Sequence, residues 1–321
     1  MPAAYQTLAA VPEALLHHGA WPQRHPRTLY TLSSRKVVDS LGLVLKELER
    51  ETAHFRSTGK QSDYGALLAA QKALVYTIRE HIDDCYSILL SFTDPPTDRS
   101  EASRPERYLK IRQLPGLRRF EVTLRDYLVD HLAPLVNGLK HRAAILHPVI
   151  QWDVRDLTSA RLGYYLEEVS EGELTGPSWR VHRDGNSGFS FSRDLRFHVY
   201  YHYELSQRLA DVIRAICRAW HHLELPDDAV PTSDGRWFNT LKELTALPYE
   251  PLSNELTWPT PVLTLRSTDT LTPVFVAEYP VRRTHVWRIG ELRVQAGATA
   301  GRGGTMLKLP YMGKPRRPKL G

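Results

Sequence analysis

The sequence predicts an α+β protein: an N-terminal antiparallel helical bundle followed by a mixed domain with antiparallel strands and a packed helix. Three observations carry this. Apolar residues recur at steps of three and four as far as Leu146. Beyond it the chain breaks into short segments rich in aromatic and β-branched residues, separated by Gly, Pro, Asn and Asp. One later segment, Glu204 to Leu225, returns to the helical period.

Taken in order, Met1 to Leu32 holds four prolines and reads as a short helix (Pro12 to His18) followed by irregular chain. Ser33-Ser34 offers a cap to the first long helix, whose buried stripe is Val37, Val38, Leu41, Leu45, Leu48 and Phe55. Asp63 caps the second, which stops before Asp94-Pro95-Pro96. Thr97 to Glu106 reads as a surface loop. The third segment runs from Gly116 to Leu146 and carries Pro134, which lacks an N–H and predicts a kink or break near Leu132. Strands are expected at Val149 to Val154, Gly163 to Val169, Trp179 to His182, Gly188 to Ser192 and Phe197 to Tyr203. A short helix is expected around Trp237 to Leu247, then strands at Val262 to Leu265, Pro273 to Tyr279, Thr284 to Ile289 and Leu292 to Gln295. The predicted division is 1–147 helical, 148–296 strand-rich and 297–321 a basic tail.

The net charge of +6 belongs to that tail. Gly297 to Gly321 holds six basic residues and no acidic one, so the remainder has equal numbers of each. Arg302, Lys314, Arg316, Arg317 and Lys319 have the composition of an arm that meets phosphate without sequence preference. Cys85 and Cys217 sit in apolar helical patterns, so free thiols and a reducing, cytoplasmic setting are expected. No apolar run is long enough to suggest a membrane span. No zinc cysteine cluster, nucleophile elbow or dinucleotide fingerprint appears, and no cofactor is expected.

The polar residues of the third helical segment are the first candidate site. Arg125, Asp126 and His131 make an Arg-Asp-x4-His string. Arg125 and His131 point about 120° apart on an ideal helix, so the pair depends on the break at Pro134. Three helix-like segments with this string resemble the HEPN superfamily, over roughly Ser33 to Leu146. The resemblance implies a helical bundle, often dimeric, of a class with many metal-independent ribonucleases of toxin and defence type. It implies RNA as partner, a homodimer, and a candidate endoribonuclease or RNA-binding protein. His131 would be the acid/base, Arg125 the cation that meets developing phosphorane charge, and Asp126 or Asp130 the group that orients the imidazole.

A second face, Asp130, Asn137 and His141, falls within about 40° on a continuous helix and reads as a polar clamp between helices. Lys140 and Arg142 flank it and would meet nucleic acid. In the strand-rich half, His198 and His202 fall on one face of a strand, with His182 and Asp184 near in sequence. That set suggests an imidazole and carboxylate metal site. Two further functions therefore stand beside the ribonuclease: a non-catalytic assembly or protein-binding module, and a metal-assisted hydrolase using His182, His198 and His202.

Overall fold

The helical periods of the N-terminal half are realised in two long helices. A computed structural model of the protein describes residues 2–60, 62–96, 104–142, 144–153, 156–170, 173–182, 188–226, 235–256, 258–267, 273–278, 295–299 and 306–307. Helix α1 (Ala3–Ala10) precedes a 3-10 turn at Glu13–Leu15, in place of the helix expected at Pro12 to His18. Helix α2 (Pro26–Thr58) begins earlier than its apolar stripe suggested. Proline suits a first turn, where its missing N–H goes unused. Ser33 and Ser34 are therefore buried inside the helix and are not its cap. Helix α3 (Gly65–Leu90) starts where expected, with Asp63 accepting the Gly65 N–H at 3.1 Å. Lys36 lies 3.6 Å from Glu80, and Ser62, ahead of α3, hydrogen-bonds Glu51 late in α2. The two helices thus run antiparallel.

Helix α4 (Pro105–Ile111) and α5 (Leu117–Tyr127) follow. A π-helical turn occupies Leu128–Leu132, and Pro134 lies in the first turn of α6 (Ala133–His141). The proline has no N–H for the carbonyl four residues back, and the widened turn relieves that misfit.

Strands β1 (Ile145–Asp153) and β2 (Asp156–Ser170) pair antiparallel, with Leu146 opposite Leu166 and Ile150 opposite Leu162. Strand β3 (Glu173–Pro177) and the two-residue β4 (Phe189–Ser190) both pair with β2. Helix α7 then runs from Phe191 to His221, and α8 spans Gly235–Ala246. Strands β5 (Val262–Ser267) and β6 (Pro273–Glu278) form a separate hairpin. Strands β7 (Gln295–Thr299) and β8 (Met306–Leu307) extend the first sheet in the order β3-β2-β1-β7-β8. The protein is α+β, with its helices leading. The strand expected at Thr284 to Ile289, and that expected at Leu292 to Gln295 except for its last residue, lie outside the described residues. Among the described residues no helix is long and apolar enough to cross a membrane.

Two strand expectations fail. Trp179 to His182 forms a turn, and Phe197 to Tyr203 belongs to α7. The aromatic content of that stretch favours a strand, but the apolar period from Leu195 through Val199, Leu205, Leu209 and Ile213 is helical and wholly buried. The start is set at Ser190, whose Oγ accepts the Arg193 N–H at 3.3 Å.

The chain divides into two compact units. The first comprises Met1–Asp39, Tyr76–Asp130 and Tyr201–Thr240. Its core holds a polar cluster. His202 stacks on Trp237, with ring centroids 4.9 Å apart, and lies 4.7 Å from the ring of His81. Ser33 hydrogen-bonds His81 at 2.8 Å, and Tyr30 donates to Ser206 at 2.7 Å. Burial holds the His81 imidazole neutral, pushing its pKa down to about 4, and depresses His202 well below its ordinary range.

The second unit comprises Ser40–Val75, His131–Tyr200 and Leu241–Gly321. Helix α6 approaches β2 at Gly138, where a Cβ would lie 2.6 Å from Leu166 Cδ2. Gly163 lets β4 lie close against β2, because a Cβ there would run into the Phe189 carbonyl. Along β2, Tyr164 and Leu166 point to one face, Tyr165 and Glu167 to the other. Both faces are buried, and Glu167 is ion-paired with His147 of β1.

The first unit gives a pH test. The native pKa of His81 lies below its unfolded value of 6.5, so the unfolded chain takes up the proton first. This contribution to stability is complete above pH 6.5, falls as pH drops toward about 4, and is flat below that. The loss amounts to about 3 kcal/mol. Urea denaturation at pH 7 and pH 5 is expected to show lower stability at pH 5 and a shallower pH dependence in His81→Gln.

Candidate metal centre

Helix α7 builds the site from its own first turns. Residues four apart on a helix share a face, so Asp194 and His198 meet, with Nε2 of His198 3.1 Å from Asp194 Oδ2. The π turn delivers His131, whose Nε2 lies 3.1 Å from the other oxygen, Oδ1. The ligating atoms of His131, Asp194 and His198 lie within 4.8 Å of one another. Tyr164 donates its hydroxyl to Asp194 Oδ2 at 2.6 Å, and Gln71 Nε2 donates to the same oxygen at 2.9 Å. Gln71 also donates to the Tyr164 oxygen at 3.0 Å.

Water is nearly excluded. The side chains of Asp194 and His198 are 0% and 1% exposed, and that of His131 is 11% exposed. Burial alone would push the Asp194 carboxyl up, but the imidazoles of His198 and His131 hold it well below the usual carboxylate range. Burial depresses His131 despite its carboxylate partner. Burial, and then Asp194, raise Tyr164 well above an ordinary phenol. The result is an ionised carboxylate beside a neutral imidazole, the protonation state in which such groups ligate divalent cations.

Aromatic rings wall the cluster. The His131 ring lies 5.0 Å from Phe189 and 4.8 Å from Phe197. His182 packs on the same Phe189 ring, with centroids 4.9 Å apart. His182 Nε2 accepts the Leu166 N–H at 2.8 Å, and burial pushes its pKa down to about 3. Arg193, buried, lies over Phe197 at 5.6 Å and over Trp258 at 4.8 Å. Its Nη1 is 3.9 Å from Glu255, whose carboxylate accepts the N–H groups of Ser190 and Leu252. Glu255 thereby holds the start of α7.

The structure places the other sequence candidates elsewhere. Arg125 and Asp126 are exposed on α5, with Arg125 Nε 3.9 Å from Asp126. Arg125 lines an open groove of about 430 Å³ with Arg79, Lys110, Arg118, Asp83 and Glu121. The expected orienting role of Asp126 toward His131 is corrected: the carboxylate on His131 is Asp194. Asp130 falls in the π turn, and its side chain lies outside the described residues. Asn137 and His141 are exposed, so the expected buried clamp is not formed by them; Lys140 and Arg142 are exposed beside them. Of the three histidines expected to share a metal, His198 joins the cluster, His182 packs on Phe189 and is not among its ligating residues, and His202 stacks on Trp237. The expected contribution of Asp184 and of the tail residues Arg302, Lys314, Arg316, Arg317 and Lys319 lies outside the described residues. Asp194, Gln71 and Tyr164 were absent from the sequence candidates. The Asp-x3-His spacing of Asp194 and His198 becomes a signal only when Phe191–His221 is read as helix.

No family model matches the chain, and neither the curated proteins nor the solved structures contain a match at a significant level.

The hydrogen-bond count at Asp194 sets a graded stability test. Asp194→Ala leaves Tyr164, Gln71 and the imidazoles facing an empty acceptor and is expected to cost about 3–5 kcal/mol. Tyr164→Phe removes one donor and is expected to cost about 1–2 kcal/mol. Urea midpoints at pH 7 read both, and equal costs would contradict the hub described for Asp194.

Proposed function

We propose that the chain is a metal-dependent hydrolase whose cation is held by His131, Asp194 and His198. One observation carries this reading: two imidazoles and one carboxylate bring their ligating atoms within 4.8 Å in a nearly water-free setting. Three protein ligands leave a coordination position for water or substrate, the pattern of hydrolytic zinc centres rather than four-ligand structural ones. The bound cation would supply Lewis acidity and a nucleophilic hydroxide at neutral pH. Tyr164 and Gln71, through their hydrogen bonds to Oδ2, would fix the orientation of the Asp194 carboxylate.

Metal analysis of the purified full chain is expected to find about one zinc-class ion per molecule in the parent. Little or none is expected in His198→Ala and His131→Ala. Added zinc at about 100 times its Kd is expected to stabilise the parent by about 2.7 kcal/mol. Tyr164→Phe is expected to weaken metal binding by about 10- to 100-fold. Parent protein that neither carries nor takes up a transition metal would sink the reading. Stoichiometric iron would redirect it to oxygen chemistry.

A second reading keeps the activity implied by the HEPN-like resemblance, a metal-independent ribonuclease acting through Arg125 and His131. The exposed position of Arg125 on a groove with Arg79, Lys110 and Arg118 supports the Arg125 part of it, while His131 is held by Asp194. Cleavage of single-stranded RNA in EDTA, lost in Arg125→Ala and in His131→Ala, would decide for this alternative. Cleavage that EDTA abolishes would decide for the metal.

A further inference from the structure

Two buried N–H groups near the cluster have no acceptor among the described residues: His182 Nδ1 and Arg193 Nε. The tautomer of His182 follows from geometry. Its Nε2 accepts the Leu166 N–H, so that atom carries no proton, and a neutral ring then bears its hydrogen on Nδ1. His182 is 1% exposed and Arg193 is 3% exposed, so bulk water does not satisfy either donor. A buried donor without an acceptor costs about 1–3 kcal/mol. Each packs on a ring that also packs on His131, His182 on Phe189 and Arg193 on Phe197.

The charge balance gives the sign of the missing acceptor. A divalent ion on two neutral imidazoles and one carboxylate leaves one positive charge, while the Arg193 cation is set against the Glu255 carboxylate and adds none. The Glu255 carboxylate faces Arg193 Nη1 at 3.9 Å, leaving its Nε outside that contact. A metal ion and two N–H donors match the three peripheral oxygens of a tetrahedral phosphoryl group; a carboxylate has two.

We infer that His182 Nδ1–H and Arg193 Nε–H are the oxyanion donors of the centre, and that its substrate class is a phosphate ester bound through its phosphoryl oxygens. The inference rests on the metal-centre reading above. In it, His182 and Arg193 hold the phosphoryl group at the open position of the cation, and neither is a metal ligand.

The test uses the full chain loaded with cobalt(II), whose visible d–d bands report on coordination, titrated with inorganic phosphate and, separately, with acetate. Phosphate is expected to shift the bands of the parent, and acetate to act at least tenfold more weakly. His182→Phe is expected to bind cobalt as the parent does and to lose phosphate affinity by about tenfold or more, the equivalent of one lost hydrogen bond. His182→Gln, whose amide both accepts and donates, is expected to recover part of that loss. For a variant that fails to fold, the ring nitrogens of His182 in the zinc-loaded parent are read by nitrogen-15 NMR. A proton on Nδ1 whose signal moves on adding phosphate supports the assignment, and a proton on Nε2 or an unmoved signal overturns it. Cobalt bound without any response to phosphate, or an equal response in parent and His182→Phe, also overturns it, leaving those donors to internal water. Acetate binding as tightly as phosphate overturns the phosphoryl class. Failure to bind cobalt at all sinks the metal-centre reading itself, and this inference with it.

Discussion

A carboxylate moved from water into a protein interior costs several kcal/mol unless donors replace the lost hydration. Asp194 is fully buried, and its two oxygens face Gln71, His131, Tyr164 and His198. Those partners come from α3, the π turn, β2 and α7. Each element must therefore be in place before the anion is tolerated, which makes Asp194 a test of correct assembly. The glycine at 163 serves the same end, because β4 reaches β2 only where no Cβ intervenes. β4 then leads directly into the helix that carries Asp194.

The two units use histidine differently. His198 and His202 are one turn apart on α7, yet His198 faces a carboxylate while His202 faces an indole and a second imidazole. The His81 and His202 pair has hydroxyl partners and, among the described residues, no carboxylate paired with either ring. The arrangement around Asp194 sets two imidazoles on the two oxygens of one buried carboxylate. Both residues are histidines of one helix; the difference lies in what the rest of the chain brings to each ring.

That difference explains what the sequence disclosed and what it withheld. The stripes of α2 and α3, the effect of Pro134 and the β5–β6 hairpin follow from local periodicity and from proline's missing N–H, and they were legible. α7 was misread in its first third because Phe197, Val199, Tyr200, Tyr201 and Tyr203 suit a strand by composition, whereas burial along a helical period decided the matter. His131 and His198 were each legible as candidate chemistry, but in separate sites. Their union with Gln71, Tyr164 and Asp194 spans residues 71 to 198, and no local pattern encodes a contact of that range. The start of α2 was missed for a smaller reason: a proline at a helix start and two serines inside it imitate a loop followed by a cap.

The pairing of Glu167 with His147 bears on how reliably β2 can find its partner. Tyr164 and Tyr165 are adjacent and both buried, so a slip of one residue would still present a tyrosine toward Asp194. The same slip would exchange Leu166 for Glu167, placing a carboxylate against α6 at Gly138, where little space exists. It would also part Glu167 from His147, leaving a buried carboxyl group without that partner. The ion pair thus acts as a register key: it discriminates against a misfolded isomer that the tyrosine pair would otherwise permit.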